Sequence, residues 1–292
     1  MTLRFLGRTP QPKWKGNMAT STLIIGYSGT GKSTSIRNLP PDNTLIIRVA
    51  KKRLPFRENR FRVVDSDDYG TIKKTAKEAQ ESIIVIDDVQ YLLANEFMRK
   101  ATEKGYEKFT ILAQNFWDLF NAIDQLPDDK TVYMLSHLEN VKGHEKFKTI
   151  GKLLDEKITI EGLFTIVLKT HVKEGAPEKD KYFFTTKNNG HDTTKSPDGL
   201  FDDALIPNDL AEIDRKIREY YYIPGIKQID QLNMEEEKIR LDFIGKINAA
   251  SSIEELEAII PLLKESTLSN TKKDVLRKAY TAKSQTLKGG QQ

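Results

Sequence analysis

Eight consecutive residues, Gly26-Tyr-Ser-Gly-Thr-Gly-Lys-Ser33, constrain the fold of this chain more than any other stretch. The glycines let the backbone turn sharply enough for successive N–H groups to face one point. An apolar run, TLIIG over 22–26, leads into the turn, and residues 32–38 can form a helix behind it. Strand, glycine turn and helix together make a concavity that attracts an anion, because the first N–H groups of a helix have no partners of their own. In the full pattern G-x-x-x-x-G-K-[ST], the lysine reaches the β- and γ-phosphates of a nucleotide and the following hydroxyl ligates Mg²⁺. Gly26, Tyr27, Ser28, Gly29, Thr30, Gly31, Lys32, Ser33 and Thr34 are therefore the predicted nucleotide contacts, with Lys32 also catalytic.

Beyond the turn, the chain alternates short apolar runs with helical stretches. Runs at 22–26, 44–49, 83–87, 131–136 and 164–168 are continuously apolar rather than alternating. Strands of a parallel sheet covered on both faces have this character. Helices are expected at 32–38, 69–80 and 109–126. The last carries Ile111, Leu112, Phe116, Leu119, Phe120 and Ile123 near a 3.6-residue period. The pattern predicts an α/β fold, a mostly parallel sheet between helices, over 20–222. The segment 174–181 (EGAPEKDK) separates two strand-like runs and reads as a hairpin, and 208–222 reads as a helix. Residues 223–233 read as a linker and 234–292 as a helical extension. Ser252 and Glu255 stand at capping-box spacing there, and its end is rich in lysine and arginine. Residues 1–19, with four basic residues, no acids and two prolines, read as a flexible basic arm.

The run Ser82-Ile-Ile-Val-Ile-Asp-Asp88 supplies a partner for the turn. An acid at the tip of a buried parallel strand stands beside the phosphate loop and holds the Mg²⁺ shell. Asp87, with Ser33, is the expected metal pair. Asp88 stands where a general base or water-orienting carboxylate is placed, with Glu96 as its rival. His137 follows the run TVYMLS; because parallel strands end at the same edge, it would face the γ-phosphate. No N-K-x-D stretch selects guanine, so ATP with Mg²⁺ is the expected ligand.

Composition removes other chemistries. The 292 residues contain no cysteine, which excludes disulfides, thiol catalysis and zinc fingers. No apolar run approaches the roughly 20 residues of a membrane helix, so no membrane partner is expected and the chain reads as cytoplasmic. The net charge of +4 is mild, so any nucleic-acid reading depends on where charge is placed. The segment 51–62, KKRLPFRENRFR, sets six cations against one acid with Phe56 and Phe61 interleaved, the mixture of phosphate-neutralising and base-stacking groups found in single-strand grooves. Lys195, in TTKSPDG, precedes a turn able to present it to a neighbouring subunit's γ-phosphate.

The segments GYSGTGKST, IIVIDDVQYLLANEFMRK, YMLSH, KTIGKLLDEKI and TTKNNGHDTTKSPDGLF, in that order, resemble the RecA-like ATP-binding proteins of bacteriophages. The resemblance spans roughly 20–222 and is most particular in ANEFMRK and NNGHDTTKSPDG. It implies a RecA-like P-loop core that assembles into rings or filaments, with ATP between subunits. It also implies work on single-stranded DNA, beside a phage single-strand annealing or single-strand-binding protein, in the host cytoplasm. One departure stands out: the second strand of such proteins often leads to an acidic catalytic residue, whereas here it leads to Arg48, Lys51, Lys52 and Arg53. The expected function is thus a DNA-stimulated ATPase of phage recombination or replication. Open beside it are an ATP-gated assembly or DNA-binding protein with little hydrolysis, and a small-molecule kinase.

Overall fold

A computed structural model describes residues 18–57, 60–151, 153–177, 181–221, 223, 226–266, 268 and 270–289. The chain divides into two compact units, 1–223 and 224–292.

The first unit is an α/β domain with a nine-stranded, mostly parallel sheet. Its elements in chain order are β1 (Thr20–Gly26), β2 (Thr44–Arg48), β3 (Arg62–Asp65), α1 (Tyr69–Glu78), β4 (Ile83–Asp87), α2 (Tyr91–Arg99), α3 (Glu107–Asp124), β5 (Thr131–Val141), β6 (His144–Phe147), β7 (Ile166–Val172), β8 (Tyr182–Thr185), β9 (Leu205–Pro207) and α4 (Leu210–Tyr220). The strand order is β3-β2-β4-β5-β1-β7-β8-β9, with β6 paired to β5 off this path. The six strands from β3 to β7 run parallel, whereas β8 and β9 continue the sheet antiparallel.

Burial explains why the apolar runs are continuous. Leu23, Ile24 and Ile25 are all fully buried although neighbours on a strand point to opposite faces. Leu23, Ile25, Ile47, Ile86 and Met134 join one core with Ile72 of α1, Leu92 of α2 and Phe116 of α3. On the other face Tyr133 is also buried, and its hydroxyl donates to Asp214 of α4 at 2.9 Å. Asp214 also accepts from Thr131 Oγ1 at 2.6 Å and Arg218 Nε at 2.7 Å. Arg218 in turn donates to Ser82 O at 3.1 Å, tying α4 to the starts of β4 and β5.

Several boundaries differ from the sequence expectation. The segment after the glycine turn is a 3₁₀ helix, Ser33–Asn38, rather than an α-helix. Short strands at β3, β6 and β9 were not anticipated. Strands β7 and β8 form the expected hairpin, with Lys173 N–H donating to Lys181 O at 2.8 Å; residues 178–180 lie outside the described residues. The basic arm predicted over 1–19 lies outside them up to residue 17. Ala19, immediately before β1, is buried and donates its N–H to the carbonyl of Asp124 at the end of α3.

The second unit contains α5 (Ile226–Ala249), α6 (Ile253–Glu257), α7 (Ile259–Glu265) and α8 (Asn270–Gly289). Most of the expected linker is therefore the first part of α5. Between Gly225 and Gly245 the sequence has no Gly or Pro to stop a helix and is rich in Gln, Leu, Glu and Lys. Phe243, Ile247, Leu256, Ile259 and Leu276 form its core. Ser252 Oγ accepts the Glu255 N–H at 3.2 Å, and Glu255 accepts from Ser251 N–H at 2.8 Å, so the reciprocal bond reaches one residue earlier than a capping box. Among the described residues, no helix is long and apolar enough to cross a membrane.

Candidate functional site

The site forms where β1 and β4 end on either side of β5, which runs on to Val141, so that His137 lies within this strand rather than after it. The parallel register sets Gly26 opposite His137 and Ile86 opposite Met134, bringing the glycine turn, His137 and the acidic tip of β4 together. Gly26 is obligatory at the base of the turn, because a β-carbon there would lie 1.8 Å from Thr170 Oγ1. Gly31 has a φ of +93°, and a β-carbon on it would meet Tyr182 at 3.1 Å and the Asn208 amide at 3.3 Å. Thr30 Oγ1 closes the loop by donating to Tyr27 O at 2.7 Å.

Lys32 is buried, and its ammonium donates to Gly26 O at 2.9 Å and Tyr27 O at 2.8 Å. Burial lowers its pKa to about 8, against the pull of Asp88 and Asp87. A desolvated cation whose hydrogen bonds go to carbonyl oxygens favours a further anion brought beside it. Ser33 Oγ donates to both Asp87 oxygens, at 2.9 and 3.0 Å. Burial beside Asp88 pushes the Asp87 carboxyl up to about 6, although Ser33 and the two lysines oppose the shift.

Asp88 is 1% exposed and holds a left-handed backbone, φ 63°. Its Oδ2 lies 2.5 Å from Lys52 Nζ, and its Oδ1 lies 3.5 Å from His137 Nε2. Burial would raise its pKa, but His137 and Lys52 outweigh burial and hold it below the usual carboxylate value. The His137 N–H donates to Gln90 Oε1 at 3.2 Å, and its ring stands edge-on to Tyr91. Lys32, Ser33, Asp87, Asp88 and His137 are thus assembled at one sheet edge.

Glu96 and Lys195 stand elsewhere. Glu96 is buried on α2 and accepts from Asn115 of α3 at 2.7 Å, with Lys100 at 3.7 Å. Lys195 has an exposed side chain, and its backbone bridges Val167 of β7 through N–H···O bonds of 3.0 and 2.8 Å. Around it, Asp192 accepts from Thr194 N–H and pairs with Lys169 at 2.6 Å, so the segment is pinned to the sheet.

Sequence reasoning missed two contributors. It read Lys52 only as part of the basic segment, because nothing local reveals that the loop after β2 folds back on Asp88. Asn208, just before α4, is 3% exposed, and among the described residues neither of its side-chain amide atoms has a hydrogen-bond partner. It packs against Gly31, far from the turn in sequence. The basic segment itself is partly spent: Lys51 pairs with Asp67 and Arg62 with Glu81, while Arg48, which ends β2 before it, pairs with Asp65. Phe56 and Phe61 pack edge to face at 5.8 Å.

The donor set suits magnesium nucleotide. Ser33 and Asp87 offer hard oxygen ligands, and Lys32 offers the buried cation. Among the described residues no cluster of three or more His, Cys, Asp or Glu would hold a metal by itself, so Mg²⁺ would draw its other ligands from phosphate and water. No protein-family model and no curated protein matches this chain.

Proposed function

We propose that this chain is an ATP-binding and ATP-hydrolysing protein with a RecA-like P-loop core, acting as an oligomer on single-stranded DNA in phage recombination or replication. The observation that carries the nucleotide reading is the Ser33–Asp87 contact beside a buried Lys32, at the shared end of parallel strands. The RecA-like reading is supported by β5, which stands between the glycine-turn strand and the acidic strand and presents His137 to both.

Within that reading, Ser33 and Asp87 would hold Mg²⁺, which when bound neutralises charge on the phosphates. Lys32 would trade its two loop carbonyls for phosphate oxygens, a stronger, charge-assisted set of bonds. Asp88 would orient or deprotonate the attacking water. The DNA reading is supported by Arg53, Arg57 and Arg60, exposed on the loop after β2 beside the Phe56–Phe61 pair.

One observation favours a second reading, an ATP-gated assembly protein that barely hydrolyses. The end of β2 carries Arg48, bound to Asp65, where an acidic catalytic residue is often found, and Asp88 is already neutralised by Lys52. Turnover measured with and without single-stranded DNA, with the oligomer mass followed in parallel, separates the two. Lys32→Ala should abolish hydrolysis and weaken ATP binding by about 100-fold or more, since a charged hydrogen-bonding partner of the triphosphate is lost. Near-normal turnover in that variant would remove the P-loop assignment.

A further inference from the structure

Lys52 lies in the loop between β2 and β3, yet its ammonium reaches the acid at the tip of β4. The backbone is bent to achieve this. Lys51, just before it, has a φ of 52°, and Asp88, its partner, has a φ of 63°. Neither residue is glycine, and each left-handed residue costs on the order of 1 kcal/mol. Two such positions flank one contact, and strain of this kind collects where a side chain must be aimed.

The contact is also asymmetric. The Asp88 side chain is 2% exposed, whereas that of Lys52 is 55% exposed. The carboxylate is fixed in the sheet edge, while the lysine arrives from solvent on a long stem and is free to move. Lys52 interacts electrostatically with Lys32, Asp87 and Asp88 together, so it shares the space beside the glycine turn. A second cation in that space has an evident use, because phosphoryl transfer spreads negative charge over the γ-oxygens and the leaving oxygen.

We propose that Lys52 is a catalytic residue of this site, moving from Asp88 to the γ-phosphoryl oxygens of bound ATP and stabilising their charge during hydrolysis. This rests on the nucleotide reading above. In the step it serves, the water oxygen bonds to the γ-phosphorus. The bond from that phosphorus to the bridging oxygen breaks, and its electron pair leaves with ADP. The water proton passes to Asp88 and from there to solvent. Transfer of Lys52 to phosphate releases the Asp88 carboxylate for this role, so the ion pair holds the base back until a triphosphate arrives. The cation is supplied within the subunit, from the same loop that carries Arg53, Arg57 and Arg60.

The test is calorimetric binding of ADP, and of ADP with aluminium fluoride as a mimic of the transferring phosphoryl group, to the full chain. The wild type should bind the mimic more tightly than ADP. Lys52→Ala should keep ADP affinity within about threefold and its melting temperature, yet lose about 100-fold in affinity for the mimic and a similar factor in turnover, as removal of a transition-state cation does. Lys52→Arg should recover part of both. If Lys52→Ala keeps the full preference for the mimic, the proposal is overturned. It is equally overturned if ADP affinity and melting temperature fall as far as affinity for the mimic, since the pair is then structural. If the wild type binds neither probe, or Lys32→Ala binds both as the wild type does, the nucleotide reading itself fails and the Lys52 assignment goes with it.

Discussion

At the scale of single residues, the proposed hydrolysis needs a carboxylate to activate water, and Asp88 and Glu96 are the two candidates. Asp88 stands beside the Ser33–Asp87 pair and within 3.5 Å of His137, whereas Glu96 spends one oxygen on Asn115 in the α2–α3 contact. Position therefore favours Asp88. Asp88→Asn preserves shape and removes basicity, so ATP should remain bound while hydrolysis slows by about 10²–10⁴-fold, the usual weight of a general base. Glu96→Gln should leave turnover within a few fold, with any cost appearing as a lower melting temperature. Single-turnover hydrolysis of both variants decides the matter: normal rates in Asp88→Asn together with loss in Glu96→Gln would move the base to Glu96. These residues were legible as candidates because each has a local signature, an acid ending an apolar run or a glycine turn ending in lysine. Lys52 and Asn208 have none. Their places depend on a loop returning over 36 positions to Asp88 and on the segment between β9 and α4 returning over 177 positions to Gly31, and long-range approach leaves no periodic trace.

At the scale of elements, the central strands were readable because burial on both faces forces continuous apolar runs, as in Ile83–Asp87, where the predicted and observed bounds coincide. Strands β3, β6 and β9 were hidden for the opposite reason. They are three or four residues long and partly exposed, too short for a run or an alternation to mark them. Most of the segment read as a linker is helical, because in the sequence Pro224-Gly225 interrupts the pattern at one point only and α5 begins at Ile226. The helix α4 shows what patterning cannot disclose. Its Asp214 and Arg218 look like a surface i, i+4 pair, yet both are about 4% exposed and bind Thr131, Tyr133 and Ser82 at the starts of β4 and β5. Burial beside Asp214 pushes the Tyr133 hydroxyl pKa well up, keeping it a donor. Arg218→Ala strands a buried carboxylate and should cost about 3–5 kcal/mol. A fall in the urea midpoint of the first unit checks this, and a loss below about 1 kcal/mol would mean that water replaces the guanidinium.

At the scale of the whole molecule, Lys195 bears on whether the site is complete in one chain. Its backbone is fixed opposite Val167, which pairs with Leu23, three residues before Gly26 along β1. That offset is roughly 10 Å along the strand, with β7 lying between Lys195 and β1, so the lysine serves the glycine turn of a neighbour or none. Its segment is pinned to the sheet through Asp192 and Thr194 rather than left as a loose loop. A rigid mount suits a group delivered across an interface, since a floppy lysine would lose entropy on each engagement. Lys195→Ala should then bind ATP normally, still oligomerise, and lose about 10-fold or more in turnover, the weight of a cation supplied in trans. Mixing it with Lys32→Ala separates cis from trans. One variant lacks the phosphate cradle and the other the donated lysine, so a mixed oligomer contains some interfaces where an intact cradle meets an intact Lys195, and activity should partly return. A mixture as inactive as its components, despite demonstrated co-assembly, would show that Lys195 does not act across subunits. Full activity in Lys195→Ala alone would favour Lys52 as the second cation, and a site complete within one chain.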